Sequence, residues 1–266
     1  MADMFDVAGT VVLVSGGSRG IGLAMAQCFA DRGATVVITG RGKDSLEQAC
    51  AGDKTGRLHY DICDVADETS ISASVARVVK THGDIDTLIN CAGINIRKPA
   101  VEYSASEFDD ILRINQRGTF LMSQVVGRLM VARGRGSMIN IDSLSSCGPL
   151  TQIVPYAMSK SAMSSMTKGL ALEWGKHGVR VNGIAPGFIL TDLTRKLWSD
   201  PNMHAWNKTV VPMQRMGAVD DLLGAAIFLA SPAAGFMTGQ TIRVDGGASA
   251  GVNWPIAGDF LVTTAS

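Results

Sequence analysis

Short runs of β-branched and other apolar residues recur along the chain, at residues 10–15, 35–39, 58–60, 87–90, 137–141, 180–184 and 241–244. Runs this short, with little polar alternation, predict strands buried on both faces. Between them apolar positions return every three or four residues, over 21–32, 44–50, 68–82, 106–133, 155–176 and 219–230, which predicts helices. Strict alternation of the two predicts a doubly wound α/β fold, a seven-stranded parallel sheet with helices on both faces. No linker, charge block or low-complexity stretch interrupts it, so residues 1–266 read as a single domain. In open sheets of this kind ligands sit outside the carboxyl ends of the strands, and the residues after each strand are where function is sought.

Composition removes several alternatives. The chain has 266 residues, 46% hydrophobic and 18% charged, with a formal net charge of zero. A balanced charge argues against nucleic acid as a partner, because such binders concentrate Lys and Arg. The N-terminus lacks a basic segment followed by an apolar one, and no apolar run approaches the ~20 residues needed to cross a bilayer, so a cytoplasmic protein without a membrane partner is expected. Cys28, Cys50, Cys63, Cys91 and Cys147 form no CxxC pair, which suits reduced thiols. His59, His82, His177 and His204 show no ligand spacing, and are expected at helix ends and on the surface; no metal site is expected.

Candidate chemistry begins after the first strand, where Ser15, Gly16, Gly17, Ser18, Arg19, Gly20, Ile21 and Gly22 lead straight into a helix. Glycines let backbone approach a pyrophosphate closely, and a helix N-terminus offers free N–H donors and a positive dipole end. The second strand ends at Thr39, Gly40 and Arg41, where an NAD site usually carries an acid for the ribose 2′-hydroxyl. Gly40 has no such group, whereas Arg41 and Arg19 suit a 2′-phosphate, so NADP(H) is expected over NAD(H). Further on, Tyr156 and Lys160 are four apart at the start of a predicted helix and share a face. An ammonium beside a phenol stabilises the phenolate, which suits general acid–base work.

In order and spacing these motifs resemble the short-chain dehydrogenase/reductase family over nearly the whole chain. The resemblance rests on the turn at Ser15 to Gly22, Asp61 after the third strand, Asn90-Cys91-Ala92-Gly93, Asn115, Ser143, Tyr156 with Lys160, and Pro186-Gly187 with Thr191. It implies a Rossmann-type fold and hydride transfer between a nicotinamide and a ketone or secondary alcohol. Tyr156 would be the acid or base, Ser143 would hydrogen-bond the substrate oxygen, Lys160 would hold the nicotinamide ribose, and Asn115 would hold a relay water. Asp61 and Ile62 would flank the adenine; Asn90, Ala92 and Gly93 would line the cleft; Pro186, Gly187, Ile189 and Thr191 would lie near the nicotinamide. Ser15 stands where the family usually has Thr, and Cys91 replaces an Asn.

Within the family the chain is similar to sugar-acid and polyol dehydrogenases of the gluconate 5-dehydrogenase kind, through residues 4–9, 93–100 and 182–188. Arg97 and Lys98, after the fourth strand, suit a substrate carboxylate. Ser145 and Trp198 are further substrate candidates, with residues 192–217 as a lid and 248–266 as a tail over an active site. An alternative substrate class is apolar ketones or 3-oxoacyl thioesters, suggested by the apolar lid with Met213 and Met216. A cofactor-binding sensor without turnover is a third reading, opposed by the intact Ser143, Tyr156 and Lys160. The family's habit implies a homotetramer, with a dimer as the alternative, built on the two long helices, 106–133 and 155–176.

Overall fold

The structure is a computed structural model and describes residues 3–252. Most of the expected C-terminal tail lies outside the described residues. In chain order the first half runs β1 (Val11–Ser15), α1 (Gly20–Asp31), β2 (Thr35–Gly40), α2 (Lys43–Ala51), β3 (Leu58–Ile62), α3 (Glu68–His82) and β4 (Thr87–Asn90). The second runs α4 (Ala105–Leu112), α5 (Thr119–Arg133), β5 (Gly136–Ile141), α6 (Val154–Trp174), β6 (Val179–Pro186), α7 (Asp192–Trp198), α8 (Pro201–Val210), α9 (Leu223–Ala230) and β7 (Thr241–Val244). All strand pairs are parallel, in the order β3-β2-β1-β4-β5-β6-β7.

Alternation along each strand divides the core between two faces. Val12 and Val14 of β1 join Met25 and Phe29 of α1 and Ile227 of α9 on one side, while Leu13 joins Ile71 of α3 and Met122 of α5 on the other. The strand order reverses between β1 and β4, and the parallel register sets Ser15 opposite both Thr39 and Asn90, and Asn90 opposite Asn140. The carboxyl ends of four strands thus meet at the switch point, where such sheets bind ligands.

Two expectations need correction. The apolar period over 106–133 reads as one helix, but a π-helical turn, Arg113–Gly118, separates α4 from α5. Periodicity misses it because one inserted residue hardly disturbs an apolar count, yet it turns Asn115 fully inward. The expected lid segment 192–217 is largely helical, with Thr191 at the N-cap of α7 donating its N–H to Thr194 Oγ1 and Asp200 accepting from Asn202 N–H at the start of α8. His59 also departs from the surface reading, lying in β3 with its ring 4.6 Å from that of His82. No helix among the described residues is long and apolar enough to cross a membrane.

Candidate active site

The glycine turn between β1 and α1 is dictated by space. Gly16 has φ of +72°, and a Cβ there would lie 2.7 Å from Ala92 Cα. A Cβ on Gly22 would stand 2.4 Å from the Gly16 carbonyl oxygen, a main-chain atom with nowhere to go. Gly22→Ala is therefore expected to cost about 2 kcal/mol of stability, read as a lower urea midpoint, with dinucleotide binding weakened in parallel. Helix α1 starts without a side-chain cap and without an acid in its first turn, which leaves its N–H donors directed at the cleft. A Cβ on Gly20 would come within 3.9 Å of Thr191 Cβ, so the turn and the start of α7 face each other across that cleft.

Ser15 is only 2% exposed, and its hydroxyl accepts from Cys91 N–H at 3.3 Å, tying the end of β1 to the chain after β4. Asn90 is likewise a brace. Its amide donates to Ser123 Oγ and to Asn140 Oδ1, both at 2.9 Å, and Asn140 in turn donates to Thr167 Oγ1. Burial pushes the Cys91 thiol up to about 11, so it stays protonated at neutral pH. Arg19 and Arg41 are exposed at the mouth of the turn, with no carboxylate partner among the described residues. Asp61 has both oxygens gripped by Arg77, at 2.8 and 2.6 Å, and the same guanidinium reaches the Ile62 carbonyl. The Asp61 side chain is thus neutralised where the adenine reading placed it; Ile62 stays 46% exposed beside it.

At the end of β5 the chain turns through Ser143 and a single 3-10 turn, Leu144–Ser146. Ser143 Oγ accepts from Ser145 Oγ at 2.9 Å and from Ser145 N–H at 3.2 Å. With its acceptor side occupied twice, its own hydrogen is free to donate outward. Ser145, expected to touch substrate, instead orients Ser143 and is 1% exposed. Helix α6 opens with Pro155 in its first turn, places Tyr156 half-buried, and carries Lys160 one turn on, 5% exposed. Lys160 Nζ donates to the Ile141 carbonyl at 2.6 Å and lies 5.7 Å from the Tyr156 ring centroid.

Asn115 has its whole side chain engaged. Oδ1 accepts from Ile94 N–H at 2.8 Å, while Nδ2 donates to the Ile94 carbonyl at 2.9 Å and to Ser159 Oγ at 3.1 Å. Ser159 in turn donates to the Tyr156 carbonyl at 2.7 Å. Asn115 therefore links the segment after β4 to the turn of α6 that carries Tyr156, and Gly93 passes just over it. Ser159 is absent from the sequence expectations; its position three residues after Tyr156, on the same helical face, is the signal that could have found it.

The Arg97–Lys98 pair expected to receive a carboxylate is divided. Lys98 is paired with Glu107 at 2.6 Å and holds that carboxyl down at about 2, whereas Arg97 is exposed with no partner among the described residues. The neighbouring loop is stitched down by Gln152, whose φ of 65° aims its carbonyl at Lys98 N–H (3.0 Å) and the Tyr103 hydroxyl. On the far side of the cleft, Pro186 is buried and Gly187 donates to the Val244 carbonyl at 3.0 Å. Ile189 is bridged to Gly217, which closes the base of the lid segment. Trp198 is 8% exposed with its ring edge-on to Phe188 at 5.4 Å, and Trp206 meets the same ring at 5.3 Å. Sequence reading set Trp198 against substrate; the structure packs it, and Phe188 emerges as the residue joining both helices of the lid segment. No group of three or more His, Cys, Asp or Glu side chains that could hold a metal ion occurs among the described residues.

Comparison with known proteins agrees with this geometry. A family model described as Enoyl-(Acyl carrier protein) reductase matches residues 16–249. The chain is 41% identical over 247 residues to a gluconate 5-dehydrogenase of Gluconobacter oxydans, covering 92% of this chain and 96% of that one. It is 39% identical over 246 residues to a D-threitol dehydrogenase of Mycolicibacterium smegmatis, covering 91% and 94%. A solved gluconate 5-dehydrogenase from Burkholderia cenocepacia, in complex with NADP and tartrate, superposes with a TM-score of 0.90 at 38% identity, covering 94% of this chain and 99% of that one. With that likeness extending over nearly its whole length, the chain belongs to the short-chain dehydrogenase/reductase family, nicotinamide-dependent oxidoreductases acting on CH–OH groups.

Proposed function

We propose that the protein is an NADP(H)-dependent dehydrogenase that interconverts a secondary alcohol and a ketone on a sugar acid or polyol. The observation that carries this reading is the group at the end of β5 and the start of α6. There a Ser143 hydroxyl already accepting two hydrogen bonds, a half-buried Tyr156 and a buried Lys160 converge. The residues also fit the dinucleotide. The cradle of Gly16 and Gly22 admits no Cβ, the N-terminus of α1 is uncapped, and the carboxylate nearest the adenine end is neutralised by Arg77. Arg19 and Arg41, without a carboxylate partner among the described residues, suit a 2′-phosphate.

When bound, the nicotinamide supplies or accepts the hydride. Ser143 donates to the substrate oxygen, and Tyr156 gives that oxygen a proton in reduction or takes it in oxidation. Lys160 stabilises the phenolate form of Tyr156 and offers its remaining donors to the nicotinamide ribose. Asn115 keeps Tyr156 in place through Ser159, and its turn of π-helix is where a relay water would be held. Arg97 meets the carboxylate of a sugar acid at the rim. Helices α7 and α8, pinned by Phe188, shield the reacting carbon.

The names of the relatives support the substrate class, since they act on gluconate and D-threitol. Self-association into a homotetramer is supported by apolar side chains exposed on the outer faces of α5 and α6, Phe120, Leu129, Met158 and Leu172, the last 85% exposed. A panel of sugar acids, polyols and a 3-oxoacyl thioester, each assayed with both nicotinamide cofactors, tests the assignment. Turnover of a sugar acid or polyol with NADP(H) is expected. Turnover confined to the thioester would replace the substrate class, and no turnover of any member would favour a binding protein.

A further inference from the structure

We propose that Asp142 is a positioning residue for proton transfer: its buried carboxylate is the counter-charge that sets how strongly the Lys160 ammonium acts on Tyr156. The inference rests on the roles just proposed for those two residues. Asp142 is 3% exposed at the end of β5, directly before Ser143. Its N–H donates to the Ile184 carbonyl at 2.7 Å, which locks the peptide to β6. The carbonyl on the other side of that same peptide bond belongs to Ile141 and is the one Lys160 Nζ grips at 2.6 Å. Carboxylate and ammonium are thereby anchored to one fixed peptide.

Each charge lacks a complete set of neutral partners. Lys160 has only that carbonyl and the Met163 sulfur, 3.9 Å away, and no carboxylate of the described residues within salt-bridge reach. Asp142 Oδ2 accepts from Ser146 Oγ at 3.2 Å, while Oδ1 is left without a hydrogen bond of normal geometry. Two buried, under-satisfied charges of opposite sign compensate each other electrostatically across a low-dielectric gap. Burial pushes the Asp142 carboxyl up to about 6, against the pull of Lys160, of the Ser143 N–H and of the Ser146 and Ser164 hydroxyls, so it is largely ionised at neutral pH. The charged group facing it is Lys160 on α6, which also faces Cys91 after β4, whose thiol is neutral, while Arg243 on β7 donates to the Cys147 sulfur at 3.1 Å. Neither the turn 143–146 nor the facing part of β6, Ile184 and Ala185, adds a charge.

A carboxylate anchored to the same peptide as Lys160 subtracts from the positive potential at the Tyr156 phenol. Removing it with D142N or D142S is expected to move the ionisation of Tyr156 to lower pH by about one unit. Two readouts follow this shift: the basic limb of kcat/KM for alcohol oxidation, and the tyrosine absorbance titration of cofactor-free enzyme. The second is assigned to Tyr156 by difference against Y156F, since the chain has only three tyrosines. Serine is small and retains a hydroxyl, so D142S serves if the asparagine variant folds poorly. Matching shifts in both readouts support the inference. A titration and a limb that stay in place, even with reduced kcat, overturn it and leave Asp142 a structural residue. Normal turnover by Y156F would instead overturn the proposed mechanism itself.

Discussion

Tyr156→Phe is expected to lower turnover by about 10²–10⁴-fold, the usual contribution of a positioned general acid or base, while the affinity for NADPH changes little. The two halves of that expectation have separate physical grounds. Phenylalanine keeps the ring that lies 5.7 Å from Lys160 Nζ and keeps the α6 backbone, whose Tyr156 carbonyl accepts from Ser159. The glycine turn, Arg19 and Arg41 are built on other elements and are untouched. What disappears is the one hydroxyl able to exchange a proton with the substrate oxygen. Steady-state assays in both directions, together with a fluorescence titration of NADPH, measure the two quantities. A variant retaining more than roughly a tenth of wild-type turnover would move the proton chemistry to another group.

Much of this site was legible in the sequence because backbone chemistry wrote it there. Gly16 and Gly22 are required by contacts of 2.7 and 2.4 Å that no side chain survives, and the spacing of Tyr156 and Lys160 becomes one helical face wherever α6 forms. The seven strands were legible for a similar reason, since strands buried on both faces must be apolar throughout. What stayed hidden is what depends on tertiary approach. Arg77 and Asp61 are sixteen positions apart on different elements, and nothing local announces that they pair. Ser145, a substrate candidate by sequence, instead donates to Ser143 within the single 3-10 turn that follows β5. Lys98 and Glu107 illustrate the same limit: a basic residue at the site edge was spoken for by a carboxylate that α4 brings back to it. The π-helical turn at Asn115 was invisible to periodicity although it decides where that side chain points.

Cofactor choice offers the second large effect. Replacing both Arg19 and Arg41 by alanine is expected to raise the KM for NADPH by about 100-fold and leave that for NADH within about twofold. Each charge-assisted bond to a phosphate at an exposed site is taken as about 1.4 kcal/mol, near the low end for charged hydrogen bonds, and 1.4 kcal/mol is tenfold in affinity. Neither arginine has a protein carboxylate to lose among the described residues, so the folded state should not suffer, and an unchanged thermal midpoint is the control. The double variant should become less discriminating without becoming a good NAD enzyme, because Gly40 still supplies no acid for a 2′-hydroxyl and Asp61 remains held by Arg77. Salt separates this account from one based on shape. If exposed guanidinium–phosphate pairing sets the preference, wild-type selectivity for NADPH falls as ionic strength rises past about 0.15 M, where the screening length is about 8 Å, while the double variant shows no such dependence. Selectivity that survives both the substitutions and the salt would assign the choice to the fit of the ribose against the main chain at Gly40, and not to charge.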